Sequence, residues 1–116
     1  MAVLRVISNL ATGDVAAAQA FYGDFLGLDL VMDHGWIQTF ASDARMAPQV
    51  SIATEGGSGT PVPTLSVEVD DVDAYRRRAG DLGLEIVYEL TDEPWGVRRF
   101  DVRDPFGNAI NILSHR

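Results

Sequence analysis

The chain has 116 residues, 47% hydrophobic and 22% charged, which is enough for one compact core and has neither the bias of a disordered tail nor that of a fibrous repeat. Seventeen acidic against nine basic residues leave a formal net charge of −8, a field that repels phosphate backbones and anionic lipids, so neither nucleic acid nor membrane is an expected partner. The absence of cysteine excludes disulfides, thiolate metal sites and thiol nucleophiles. With no apolar run long enough for a signal or a span, it leads us to expect a cytoplasmic protein.

In chain order, residues 4–11 read as a strand. Asp14 then stands where an aspartate accepts bonds from the orphan amides at a helix start. The stripe Val15, Ala18, Tyr22, Phe25 has helical spacing, and Phe21 and Tyr22 are read as core. Leu26, Gly27 and Leu28 end this helix, the glycine supplying the left-handed conformation of a C-terminal cap. Strand patterns follow over 29–33, 36–41 and 49–54.

The stretch from Gly56 to Pro61 has no apolar period and reads as a linker over about 56–62, between a first module of about 1–55 and a second of about 63–116. The second module repeats the first. A strand over 64–69 leads to Asp71 as cap, the stripe Val72, Tyr75, Ala79, Leu82 runs into Leu82, Gly83, Leu84, and strands follow over 85–90, 96–102 and 109–113. Asp104, Pro105, Phe106, Gly107 and Asn108 form a type I turn between the last two strands, so Asp104 and Asn108 are read as structural. The expected class is α+β, a single domain of two tandem βαβββ modules whose curled mixed sheets surround a cavity. Nothing resembles a serine elbow, a catalytic triad, a phosphate loop or a dinucleotide fingerprint.

This doubled pattern, with Phe21, Tyr22, Leu26 and Gly27 on its first helix, resembles the vicinal-oxygen-chelate superfamily of glyoxalases, bleomycin-resistance proteins and extradiol dioxygenases. The run from Pro94 and Trp95 through Arg98, Arg99 and Phe100 to Asn108 is most similar to bleomycin-resistance proteins. The resemblance implies a homodimer and, in metal-dependent members, one ligand on the first and one on the last strand of each module. Such ligands are imidazole or carboxylate donors at about 2.0–2.2 Å. Aligned to that pattern, the ligand positions fall on Ile7, Ser51, Thr64 and Asn111, none of them a strong donor. The two histidines, His34 and His115, lie elsewhere and are read as solvated.

No metal or other cofactor is therefore expected, and the cavity is read as binding an organic small molecule, cationic if the acidic field acts on it. The rival reading is a metal-dependent lyase, isomerase or dioxygenase. Alternation along the strands adds Asn9 beside Ile7, Gln49 beside Ser51, and Ser66 and Glu68 beside Thr64. Trp36, Phe40, Trp95 and Phe100 would supply apolar walls. Arg98 points inward if Phe100 does, as an anion hook or a partner for Glu68; otherwise it pairs with surface carboxylates.

Overall fold

Every strand that the sequence predicts is present in the computed structural model, which describes residues 1–43 and 49–116. The strands are β1 (Val3–Ala11), β2 (Asp29–Asp33), β3 (Ile37–Ala41), β4 (Gln49–Ala53), β5 (Leu65–Val69), β6 (Ile86–Asp92), β7 (Val97–Arg103) and β8 (Ala109–His115). One α-helix, α1 (Val72–Asp81), lies between β5 and β6. The class is α+β, with eight strands of mixed direction among the described residues. None of the described helices is long and apolar enough to cross a membrane.

The chain divides into two compact units, Met1–Val6 with Pro63–Arg116, and Ile7–Val62. In the first of these, β5 pairs parallel with β8, and β8 with β7 and β7 with β6 pair antiparallel. Helix α1 covers one sheet face. Val69, Val72, Ala79 and Phe100 are buried there, with Val67, Tyr75, Ile86, Leu90, Val102 and Ile112 packed around them. Asp71 caps α1 through its side chain, which accepts from the Ala74 amide at 3.1 Å. Ser114 of β8 fastens the same helix start, donating to the Val69 carbonyl at 2.8 Å and accepting from the Val72 amide at 3.2 Å.

In the Ile7–Val62 unit, β1 pairs parallel with β4, and β3 pairs antiparallel with both β4 and β2. Ala18, Phe40 and Ile52 form its core, flanked by Tyr22, Leu28 and Val50. The helix predicted from Asp14 differs in kind. It is a 3₁₀ turn over Val15–Ala17 followed by a π-helix over Gln19–Phe25, and the Asp14 side chain makes no capping bond.

The wide turn is visible in the Leu26 amide, which donates to the Phe21 carbonyl at 2.9 Å. Each residue of a π-turn advances fewer degrees than in an α-helix. The i+3 step from Tyr22 therefore no longer returns to the sheet, and Phe25 is exposed. Phe21, expected in the core, is 52% exposed and packs edge-on against Tyr22 instead. A Cβ at Gly23 would lie 1.9 Å from Gln19 Nε2, so a larger residue there would displace the end of the Gln19 side chain.

The two capping aspartates should therefore respond differently to truncation. In urea denaturation, Asp71→Ala is expected to cost about 1 kcal/mol through its lost cap, and Asp14→Ala, which loses none, less than half as much. Equal losses would contradict the capping assignment.

Candidate functional site

The hairpin turn at 104–108 sets the register of everything beside it. Asp104 Oδ1 accepts from the amides of Phe106 and Asn108, both at 2.8 Å, and Asn108 Nδ2 donates to Asp104 Oδ2 at 3.0 Å. With the turn locked, Arg103 falls opposite Ala109, Asp101 opposite Asn111 and Arg99 opposite Leu113. Cross-strand partners share a sheet face, so the face away from α1 carries the row Tyr88, Asp101, Asn111, Ser66 and the row Thr91, Arg99, Leu113, Glu68.

Arg99 is the centre of this face, with 1% of its surface exposed. Its Nε donates to Glu93 Oε2 at 2.7 Å, and Nη1 reaches Asp101 Oδ1 at 3.4 Å. The guanidinium lies 4.5 Å from the centroid of the Tyr88 ring and 5.9 Å from that of Trp95, within cation–π range. Tyr88 Oη donates to the Glu93 carboxylate at 3.3 Å. The turn after β6 positions two of these groups. Pro94 follows Glu93, the Gly96 amide returns to the Glu93 carbonyl at 3.2 Å, and Gly96 has φ +92°. Only glycine takes that conformation without strain, so Glu93 and Trp95 are presented at a fixed place.

Two carboxylates thus share one buried guanidinium. Burial pushes the Asp101 carboxyl up to about 6; the Arg99 charge opposes the rise and Glu93 adds to it. At the other end of the face, partial burial works against ionisation of Glu68. Hydrogen bonds from His115, at 3.0 Å, and from Arg5 outweigh that effect and hold its carboxyl below the usual range.

In the Ile7–Val62 unit, Asn9, Ser51 and Thr39 stand side by side across β1, β4 and β3. The Thr39 and Ser51 hydroxyls bond each other at 2.7 Å while buried. Ile7 is buried on β1, and Gln49 lies opposite Ala41. Trp36 stands just before β3, partly buried, stacked on an exposed His34.

Several inferred positions need correction. Phe100 does not face the polar side. It is opposite Ile112 and belongs to the core under α1. Arg98 shares that side and reaches neither an anion site nor Glu68. It holds Asp73 of α1 at 2.8 Å and Asp92 at 3.2 Å. Phe40 likewise packs in the first-module core beside Ala18 and Tyr22. Thr64 precedes β5, is exposed, and donates to Asn108 Oδ1 at 3.4 Å. His115 is less solitary than expected, being tied to Glu68.

The residues that the sequence reading missed are Tyr88, Glu93, Arg99 and Asp101. The signal was available, because the turn at 104–108 puts Asp101 opposite Asn111, and alternation then turns Arg99 inward and Phe100 outward.

At the positions that the family resemblance implies for metal ligands, neither unit carries a donor set that fits a divalent ion. Ile7 has no donor atom, Ser51 is tied to Thr39, Thr64 leans on Asn108, and Asn111 donates through Nδ2 to Ser66 Oγ at 3.2 Å. Among the described residues, no three histidine, aspartate or glutamate side chains are grouped to hold an ion.

Paired βαβββ modules, each with a polar strand face opposite a helix-covered one, define a protein of the vicinal-oxygen-chelate fold. The chain belongs to the Glyoxalase/Bleomycin resistance protein/Dioxygenase superfamily, whose model matches residues 4–112. An uncharacterized protein of Mycobacterium tuberculosis H37Rv is 48% identical over 54 residues, covering 47% of this chain and 31% of that one. The anthracycline biosynthesis protein DauV of Streptomyces sp. strain C5 is 32% identical over 115 residues, covering 93% of this chain and 40% of DauV. The chain thus spans well under half the length of these relatives.

Among solved structures, two similar in fold are an NAD-dependent benzaldehyde dehydrogenase from Legionella pneumophila and methylmalonyl-CoA epimerase from M. tuberculosis. The first has TM-score 0.77 at 17% identity, covering 97% of this chain and 100% of the other. The second has TM-score 0.64 at 22% identity, covering 98% and 87%. At those identities the likeness is one of fold alone.

Arg99 and Arg98 provide an internal contrast. Arg99→Met strands two buried carboxylates and is expected to cost about 3–5 kcal/mol, whereas Arg98→Met, whose carboxylates face solvent, should cost about 1 kcal/mol or less. Chemical denaturation of both variants measures this, and similar losses would refute the assignment of the two faces.

Proposed function

We propose that this protein binds an organic small molecule without a metal ion, as a sequestering protein of the bleomycin-resistance type. This reading is supported by the residues at the positions that the resemblance implies for metal ligands, Ile7 and Ser51 in one unit and Thr64 and Asn111 in the other. One apolar and three neutral hydrogen-bonding side chains stand where the resemblance implies charged or imidazole donors in a metal-dependent relative. Taken unit by unit, Asn9 and Gln49 add polar partners and Trp36 a flat ring in the Ile7–Val62 unit, and Ser66, Glu68 and Trp95 do the same in the other.

The net charge of −8 favours a cationic ligand. The likeness to an anthracycline biosynthesis protein supports a planar, polycyclic one. We further propose that the protein works as a cytoplasmic homodimer whose two chains share the ligand cleft, since a symmetric pair covers exposed apolar side chains.

The test is metal analysis of the purified protein joined to thermal-shift titration with daunorubicin, a planar amine, before and after EDTA treatment. Metal should be far below one equivalent, and the ligand should raise Tm equally in both samples, by several degrees near saturation. Trp95→Ala should weaken that rise while leaving the ligand-free Tm within a few degrees of wild type. Stoichiometric metal retained through chelation, or ligand binding that needs an added divalent ion, would favour the metal-dependent lyase, isomerase or dioxygenase instead.

A further inference from the structure

On the polar face of the second module, Asp101 of β7 stands directly opposite Asn111 of β8. Side chains so placed have Cβ atoms about 4.5–5.5 Å apart, within hydrogen-bonding reach of each other. The Asn111 amide is already committed on its donor side, to Ser66 Oγ at 3.2 Å. Its other end, Oδ1, is buried and has no hydrogen-bond partner among the described residues. A buried acceptor left in that state is costly, and native proteins avoid it. Asp101, its partner across the strands, is also buried, and when ionised it has no hydrogen to donate.

We propose that Asp101 and Asn111 together form a proton-binding site, in which neutral Asp101 donates its carboxyl hydrogen to Asn111 Oδ1. The surrounding charges favour this. Arg99, on the same strand, is engaged at 2.7 Å by Glu93 and reaches Asp101 only at 3.4 Å, so one guanidinium neutralises one carboxylate well and the second poorly. Tyr88, opposite Asp101 on β6, gives its hydroxyl to Glu93. On β5, Glu68 adds negative charge, but Arg5 and His115 hold it. No cation besides Arg99 is shown reaching Asp101 among the described residues. Burial raises the Asp101 carboxyl to about 6, in keeping with a proton held there at mildly acidic pH. Above that pH the face carries one more negative charge than below it.

The sign of the pH dependence follows. A carboxyl that binds its proton more tightly when folded stabilises the protein fully below the unfolded value near 3.9, and that stabilisation is lost as pH rises through about 6. Asp101→Asn supplies a permanent donor to Asn111 with no charge to bury. The excess of its Tm over wild type should be several degrees larger at pH 7.5 than at pH 4.5. Asp101→Leu, equal in shape but without a donor, should melt below Asp101→Asn at both pH values.

A carbon-13 titration of the aspartate side chains in the unaltered protein gives an independent reading, with the Asp101 carboxyl expected to titrate near 6. A midpoint near 3.9, a gap between Asp101→Asn and wild type that does not change with pH, or equal stability of the Leu and Asn variants would overturn the proposal.

Discussion

A guanidinium removed from water imposes conditions on everything near it. Arg99 is buried, and the desolvation of such a charge costs several kcal/mol unless its hydrogen bonds and countercharges are in place. The second module meets that requirement with Glu93 and Asp101 at the guanidinium edges and the rings of Tyr88 and Trp95 against it. The consequences are geometric. Glu93 and Trp95 belong to the turn joining β6 to β7, so the turn must close in one way, and Pro94 and Gly96 are the residues that close it. Asp101 must face Arg99, which fixes the face of β7, and through Asn111 and Ser66 that face extends across β8 and β5.

The same strands serve a second purpose on their other side. Phe100, Val102 and Ile112 lie between the polar residues in sequence and pack under α1, so the sheet is apolar where it meets the helix and hydrogen-bonding where it does not. A polar, rigidly cross-linked strand face is suited to orienting a ligand by directed bonds. An apolar face is suited to holding a helix. The Ile7–Val62 unit shows the same division, with Phe40 and Ile52 toward the helix and Thr39 bonded to Ser51 on the other side.

Much of this was legible from the chain. The alternating strand patterns and the repeated stripes foreshadowed the strands and the α+β class, Asp71 caps its helix, and the turn residues Asp104 and Asn108 do what their types suggest. The π-helix was not legible, because its apolar stripe is indistinguishable in sequence from that of an α-helix.

The error at Phe100 had a different origin. An aromatic ring on a half-barrel strand suggests a cavity wall, whereas the register imposed by the 104–108 turn puts Phe100 opposite Ile112. Residues 98–101 offer no hydropathy contrast to settle the matter, because the charged Arg99 and Asp101 are buried on one face while the charged Arg98 stands beside the buried Phe100 on the other. Pairing arithmetic from a well-defined turn is the stronger guide in that case.

The central claim is that Arg99 and Glu93 act as one unit on which the polar face depends. A double-mutant cycle with Arg99→Met and Glu93→Gln, followed by denaturant unfolding, tests it most directly. The account predicts a coupling of about 2–3 kcal/mol, the double variant losing little more than the worse single one, because either change alone strands its partner. Additive losses, with coupling within about 0.5 kcal/mol of zero, would contradict it.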